Sequence, residues 1–183
     1  MKIKICAYPV DWTEQEALAV PVIIDQIPPQ GSLGRLDFRL KGLITGMLWE
    51  ELFEKGESWL LINLAGKITQ ALLLEVAGQK NNLSLELLQN WCERAINKLL
   101  GAGAKKPSLA VDNLFQDFFP MKDFTGAVIK PLVKKMPAQV DIFTGKEKAD
   151  GFFQETERWL HHFQLEKPVE LELCWAPDFL SKQ

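Results

Sequence analysis

The chain has 183 residues, of which 47% are apolar and 25% are charged. This is the composition of one ordinary globular domain that is large enough to bury a continuous core. The formal net charge of −3 argues against nucleic acid as a partner, because phosphate backbones attract basic surfaces. We therefore expect a single domain over residues 1–183 that binds no nucleic acid.

The beginning of the chain and its cysteines predict the compartment. Residues 1–10 alternate charged and apolar side chains and lack the apolar segment of a signal peptide, and no later apolar run approaches the roughly 20 residues of a membrane span. Cys6, Cys92 and Cys174 lie far apart in apolar segments rather than at metal-type spacings. We expect reduced thiols in a cytoplasmic protein without a membrane partner.

The first half of the chain predicts strands, a helix and a hairpin. Residues 2–8 alternate between lysines and apolar residues, which predicts a half-exposed strand at the edge of a sheet. Residues 17–24 are continuously apolar, as in an inner strand. A helical stripe then extends from residue 36 to about residue 56. Two further apolar runs, over residues 59–64 and 71–76, predict an antiparallel hairpin.

The second half alternates helices and short strands. Apolar spacing predicts a helix over residues 85–101 and a kinked or late-starting helix within residues 115–137, where Pro120 and Pro131 constrain its course. A third helix is predicted around residues 152–163. The predicted strands cover residues 107–111, 139–143 and 169–173. This alternation predicts a three-layer α/β/α fold with a mixed, mainly parallel sheet.

Residues 29–46, PQGSLGRLDFRLKGLITG, place a glycine-bearing loop between an apolar strand and a helix. Six residues in this stretch follow a recognisable order, namely Gly31, Gly34, Asp37, Arg39, Leu40 and Gly42. Their order resembles the amino-terminal, non-catalytic domain of the leucine aminopeptidase family, which is macro-domain-like. The resemblance implies a free-standing macro-domain-like module. The NTDAEGR signature of the metal-binding peptidase domain does not occur, so we expect neither that domain nor aminopeptidase activity.

The same loop is the first candidate site. Backbone N–H groups at Gly31, Ser32 and Gly34, together with the positive helix end, suit a phosphate, and the resemblance implies ADP-ribose at a comparable position. Asp37 and Arg39 complete this candidate set. The structural alternatives are a turn and helix cap for the glycines and Asp37, and an ion pair for Arg39.

A second loop, over residues 144–151, joins a short strand to a helix, so Thr144 and Gly145 are further candidate ligand residues. The alternative is an exposed polar turn. The only histidines, His161 and His162, are adjacent and make a poor metal site. We expect no catalytic residues, no metal and no cofactor. Trp12 and Trp175, beside turn residues, are candidates for a partner interface.

Two functional hypotheses follow. The first is a non-catalytic module that binds a protein partner or a second copy of itself. The second is a module that binds a nucleotide or an ADP-ribose-like, phosphate-containing ligand at the loop between Gly31 and Asp37. An open cleft between the Gly31 and Thr144 loops would favour the second hypothesis, whereas filled loops and an apolar surface patch would favour the first.

Overall fold

One sheet organises the computed structural model, which describes residues 1–54, 56–64, 69–112, 118–163 and 168–175. In these residues the strands are β1 (Lys2–Cys6), β2 (Gln15–Ile23), β3 (Trp59–Ile62), β4 (Thr69–Gly78), β5 (Pro107–Ala110), β6 (Gln139–Phe143) and β7 (Glu170–Cys174). The α-helices are α1 (Gly31–Arg39), α2 (Leu43–Trp49), α3 (Leu85–Gly101), α4 (Met121–Lys135) and α5 (Ala149–His162). Two short 3-10 turns cover Val10–Trp12 and Lys80–Asn82.

The described strands form a seven-stranded sheet in the order β3-β4-β2-β5-β6-β1-β7. Every neighbouring pair is parallel except β3 and β4, which form the antiparallel hairpin predicted from the sequence. Helices pack on both faces of the sheet. The predicted three-layer α/β/α fold with a mixed, mainly parallel sheet is therefore confirmed.

The central strand β2 shows why its sequence is continuously apolar. Ala17, Ala19 and Ile23 belong to the core cluster that contains the apolar residues of α3 and α4. Leu18 and Val20 belong to the other cluster, which contains those of α1 and α2. Because successive side chains of a strand point to opposite faces, a strand covered by helices on both faces needs apolar residues throughout.

The first strand was predicted at an edge of the sheet, and this prediction is wrong. β1 lies between β6 and β7. Its lysines are accommodated there by acidic partners on β7, since Lys2 pairs with Glu170 at 2.7 Å and Lys4 pairs with Glu172 at 3.7 Å. The sequence alternation identified one polar face of this strand but did not reveal that a neighbouring strand carries the complementary charges.

The helix predicted from residue 36 to residue 56 is interrupted. Lys41 and Gly42 adopt positive φ angles of 59° and 81°, so α1 ends and α2 begins on a new axis. Gly42 directly precedes α2, and Gly46 lies within it. A Cβ atom at either position would meet nothing within 4 Å. Gly42 is therefore suited to its left-handed backbone rather than to a close contact.

The late-starting helix is confirmed for α4, which begins at Met121 directly after Pro120 and accommodates Pro131 internally. Some sequence predictions fall outside the described residues, including the part of the hairpin turn at residues 65–68 and the beginning of the 115–137 segment up to residue 117. Within the described residues, no helix is long and apolar enough to cross a membrane.

Candidate functional site

A cavity of about 520 Å³ lies at the carboxyl ends of the parallel strands. Its lining comes from the segments that follow β1, β2, β5, β6 and β7, with Tyr8, Ser32, Asp112, Lys146 and Trp175 as one representative of each. This edge of an open α/β sheet is where ligands bind in such folds. The volume is within the range of about 300–1,000 Å³ that is usual for small-molecule pockets.

Aromatic side chains form much of the cavity wall. Tyr8, Trp12, Phe143 and Trp175 all line it. The rings of Tyr8 and Phe143 are in edge-to-face contact, with centroids 5.6 Å apart. Trp12 and Trp175 each leave nearly half of their surface exposed. Such rings offer flat apolar surfaces against which a planar base or a sugar can pack.

Charged side chains of both signs also face the cavity. Arg35 and Lys146 supply two cations, whereas Asp112 and Glu147 supply two carboxylates. These lining groups therefore provide no net attraction for a small inorganic anion. The arrangement suits a ligand that carries anionic groups and hydrogen-bond donors at different positions.

Asp112 has the most constrained position of the four charged residues. It follows β5 and accepts a hydrogen bond from the backbone N–H of Ser32, in the first turn of α1. Gln30, the N-cap residue of α1, makes no side-chain cap hydrogen bond. Asp112 therefore supplies the cap from a distant strand and places its negative charge at the positive end of the helix.

Burial sets the ionisation behaviour of this carboxyl group. Asp112 is only 9% exposed, and desolvation raises the pKa of its carboxyl above the ordinary value. The hydrogen bonds from Ser32 and the charge of Arg35 act in the opposite direction and lower that pKa. Gly31 is the residue that makes room here, because its φ is +60° and a Cβ atom would collide with the Asp112 carboxylate.

Four of the residues predicted as ligand contacts lie at the cavity or directly beside it. Gly31, Ser32 and Gly145 line the cavity. Thr144 is fully buried next to Gly145, and its backbone N–H donates to the carbonyl of Cys6 at 3.3 Å. The two predicted loops thus meet across one cleft, although the Ser32 N–H that we proposed for a phosphate already has Asp112 as its acceptor.

The other three predicted residues have structural partners. A Cβ atom on Gly34 would lie 2.5 Å from the carbonyl oxygen of Pro29, so the residue allows the loop to pass close to α1. Asp37 accepts hydrogen bonds from the backbone N–H and the hydroxyl of Thr45, at 3.0 and 2.6 Å. Arg39 pairs with Asp11 at 3.3 Å.

The sequence analysis missed the charged residues Arg35, Asp112, Lys146 and Glu147 as lining groups. A usable signal existed for Asp112, because it closely follows a predicted short strand and polar residues at that position point to the ligand edge of a parallel sheet. Trp12 and Trp175 were singled out as interface candidates, and the structure places both on the cavity wall. Among the described residues no group of three or more metal-ligating side chains occurs.

Solved structures of similar architecture include macrodomains. A macrodomain of Oceanobacillus iheyensis superposes with a TM-score of 0.65 at 14% identity, over 86% of this chain and 92% of that chain. The chain has a macrodomain-like fold. The macrodomain of Mycobacterium tuberculosis DarG superposes with a TM-score of 0.63 at 9% identity, over 78% of this chain and 97% of that chain. No model of a known protein family and no curated protein matches the sequence.

Some of the macrodomain-like structures contain nucleotides. Thermosipho africanus DarTG in complex with ADP-ribose superposes with a TM-score of 0.56 at 14% identity, over 73% of this chain and 39% of that chain. The Oceanobacillus iheyensis macrodomain has also been solved with ADP.

These findings correct the first functional hypothesis. A protein-interaction or self-association module predicted filled loops, whereas an open cavity separates the Gly31 and Gly145 loops. The macrodomain-like structures that share this fold include complexes with ADP-ribose and ADP. The interaction-module interpretation is therefore wrong, and the alternative, a small-molecule module, agrees better with the fold and the cavity.

Proposed function

We propose that this protein is a small-molecule module that binds ADP-ribose or a closely related nucleotide in the cavity. The observation that carries the proposal is the cavity itself, which opens between the Gly31 and Gly145 loops at the carboxyl edge of a macrodomain-like sheet. The complexes of macrodomain-like structures with ADP-ribose and ADP support the ligand class.

The lining residues match the parts of such a ligand. The exposed indoles of Trp12 and Trp175 offer surfaces for an adenine base. Lys146 and Arg35 are the cations available to a diphosphate. Gly145 has no side chain and a φ of 76°, so its backbone permits close approach of a ligand. The proposal requires binding and assigns no reaction to the cavity.

Two finer points belong to this proposal. The resemblance of Gly31, Gly34, Asp37 and Arg39 to the amino-terminal domain of leucine aminopeptidases supports a module of that kind within the wider macrodomain-like fold. The free thiols of Cys6, Cys92 and Cys174 support action in a reducing compartment such as the cytoplasm.

Ligand binding can be tested by calorimetry and by thermal unfolding. A ligand that binds only the native state stabilises it by RT ln(1 + [L]/Kd), which is about 2.7 kcal/mol at a hundredfold excess over Kd. We therefore expect millimolar ADP-ribose to raise the Tm. Lys146→Ala should weaken binding about tenfold, equivalent to ~1.4 kcal/mol, because it removes a cation that faces the diphosphate.

The matched control is Lys130→Ala, which removes an exposed lysine of α4 outside the cavity lining. It should leave the affinity for ADP-ribose unchanged. Absence of any thermal shift or heat of binding with millimolar ADP-ribose, ADP or AMP would refute the proposed function.

A further inference from the structure

The amino terminus of α1 is the position at which an anionic ligand would be expected, and it is already occupied by a group of the protein. The first intrahelical hydrogen bond runs from the Gly34 N–H to the Gln30 carbonyl at 3.1 Å, so the Ser32 N–H has no partner within the helix. Asp112 accepts from that N–H. A phosphate oxygen at the same place would have to displace a carboxylate.

Displacement of Asp112 would be unfavourable for two reasons. Its side chain is buried beneath the loop, with 9% of its surface exposed, and Gly31 leaves a space that the carboxylate fills. A phosphate approaching an undisplaced Asp112 would meet a like charge in a poorly solvated site. The carboxylate therefore acts as an internal anion that keeps phosphate groups away from the backbone N–H groups of the first turn of α1.

The same carboxylate can favour a different part of a ligand. Asp112 lines the cavity, and an ionised carboxylate accepts hydrogen bonds at both oxygens and donates none. The backbone N–H of Ser32 takes up part of this capacity, and the Ser32 side chain also forms a hydrogen bond to the carboxylate. Hydroxyl or amino groups of a ligand are the complementary partners for the remaining acceptor capacity.

We propose that Asp112 is the specificity-determining residue of the cavity, which selects nucleotides that end in a sugar with free hydroxyls and rejects nucleotides that end in a phosphate. The inference rests on the proposed function for the ligand class. It adds an orientation, with the sugar hydroxyls toward Asp112 and the diphosphate toward Lys146 on the opposite loop. It also predicts that bare pyrophosphate is excluded by the native protein.

The test compares ADP-ribose, ADP and inorganic pyrophosphate by calorimetry on the native protein and on two variants. Asp112→Asn keeps the shape of the side chain and removes its charge, whereas Asp112→Ser also vacates the space beside Ser32. The native protein should bind ADP-ribose at least ten times more tightly than ADP. Each variant should reduce that ratio at least fivefold, and Asp112→Ser should acquire pyrophosphate binding.

Asp25→Asn is the matched control, because Asp25 also accepts a backbone N–H, that of Lys80 at 2.8 Å, but lies outside the cavity lining. It should leave the ratio unchanged. Circular dichroism and denaturant midpoints identify any variant that does not fold, and folding of either variant is sufficient for the comparison. If neither folds, pyrophosphate binding by the native protein overturns the inference, and its exclusion supports it.

The outcomes separate this inference from the proposed function. An unchanged ratio in a folded variant overturns the role of Asp112 while leaving the nucleotide module intact. If the native protein binds neither ADP-ribose nor ADP, the proposed function fails. The pyrophosphate measurement then decides the anion-excluding role: binding gained by Asp112→Ser supports it, and no gain overturns it.

Discussion

The helices α1 and α2 pack on the same face of the sheet, and a carboxylate caps the amino terminus of each. Neither has an N-cap residue that makes a side-chain hydrogen bond. A carboxylate from elsewhere in the chain caps each of them, Asp112 at Ser32 of α1 and Asp37 at Thr45 of α2. Asp112 lines the cavity and Asp37 does not.

This difference teaches that a carboxylate at a helix amino terminus does not by itself mark a ligand site. The local interactions at α1 and α2 are alike, because an acceptor satisfies a free backbone N–H and opposes the helix dipole. Only the open space beside Asp112 gives it a second possible role.

The largest loss of stability is expected at Gly31, where the α1 cap is most crowded. Gly31→Val places a β-branched side chain at φ +60° and against the Asp112 carboxylate. Backbone strain and overpacking each cost about 1–3 kcal/mol, so we expect a loss of about 2–6 kcal/mol in the free energy of unfolding, measured by denaturant titration.

Gly46→Ala is the control for that change. Gly46 lies within α2 with open space around its Cβ position, so alanine should stabilise the protein by about 0.5–1 kcal/mol. A Gly31→Val protein as stable as the native one would contradict the close contact between residue 31 and the Asp112 carboxylate.

The next largest loss of stability is expected at the α2 cap. Asp37→Ala removes acceptors for both the backbone N–H and the hydroxyl of Thr45. Loss of a helix cap costs about 0.5–2 kcal/mol, which should appear as a lower denaturant midpoint. The affinity for ADP-ribose should remain within twofold of the native value. A tenfold loss of affinity at unchanged stability would instead give Asp37 the ligand role considered from the sequence.

The contrast between the caps also shows what could be predicted from the sequence. Periodicity within short segments identified most strands and helices, because the sheet is covered on both faces and the patterns are local. The break at Lys41 and Gly42 was missed, since the apolar spacing continues through it. The Asp112 cap joins residues 80 positions apart, and no local pattern reports such a contact. Both loops that border the cavity were singled out from the sequence. The position of Asp112 after a predicted strand was a usable signal for its place at the cavity, but its contact with Ser32 was not predictable.

A smaller loss of stability is expected as the pH rises. Burial raises the pKa of the Asp112 carboxyl above its ordinary value of 3.8. At pH values between the ordinary pKa of the unfolded state and the raised pKa of the native state, the native state therefore binds more protons than the unfolded state. Stability from this group must then fall as the pH rises through that range. Asn cannot titrate, so the native protein should lose stability relative to Asp112→Asn, by at most about 1.4 kcal/mol per pH unit.

Denaturant titrations of both proteins at several pH values from 4 upward check this expectation. Asp141, whose pKa burial also raises, is common to the two proteins, so its contribution cancels in the difference when the sites are independent. If the native protein gains stability relative to Asp112→Asn as the pH rises, the carboxylate is stabilised by its partners more than burial destabilises it.

The smallest change in stability is expected at the carboxyl end of α1. The ion pair there does not cap a free helix N–H group. Arg39 pairs with Asp11 at 3.3 Å, and half of the arginine side chain is exposed. The Asp11 side chain is only 11% exposed, so the pair should contribute at the upper end of the about 0–1 kcal/mol of exposed ion pairs. Arg39→Ala should therefore lower the free energy of unfolding by about 1 kcal/mol at most. Asp11 precedes Trp12 on the cavity wall, which makes ADP-ribose affinity the more informative measurement. An affinity unchanged within twofold would separate this ion pair from the site, whereas a clear loss would show that it holds the indole in place.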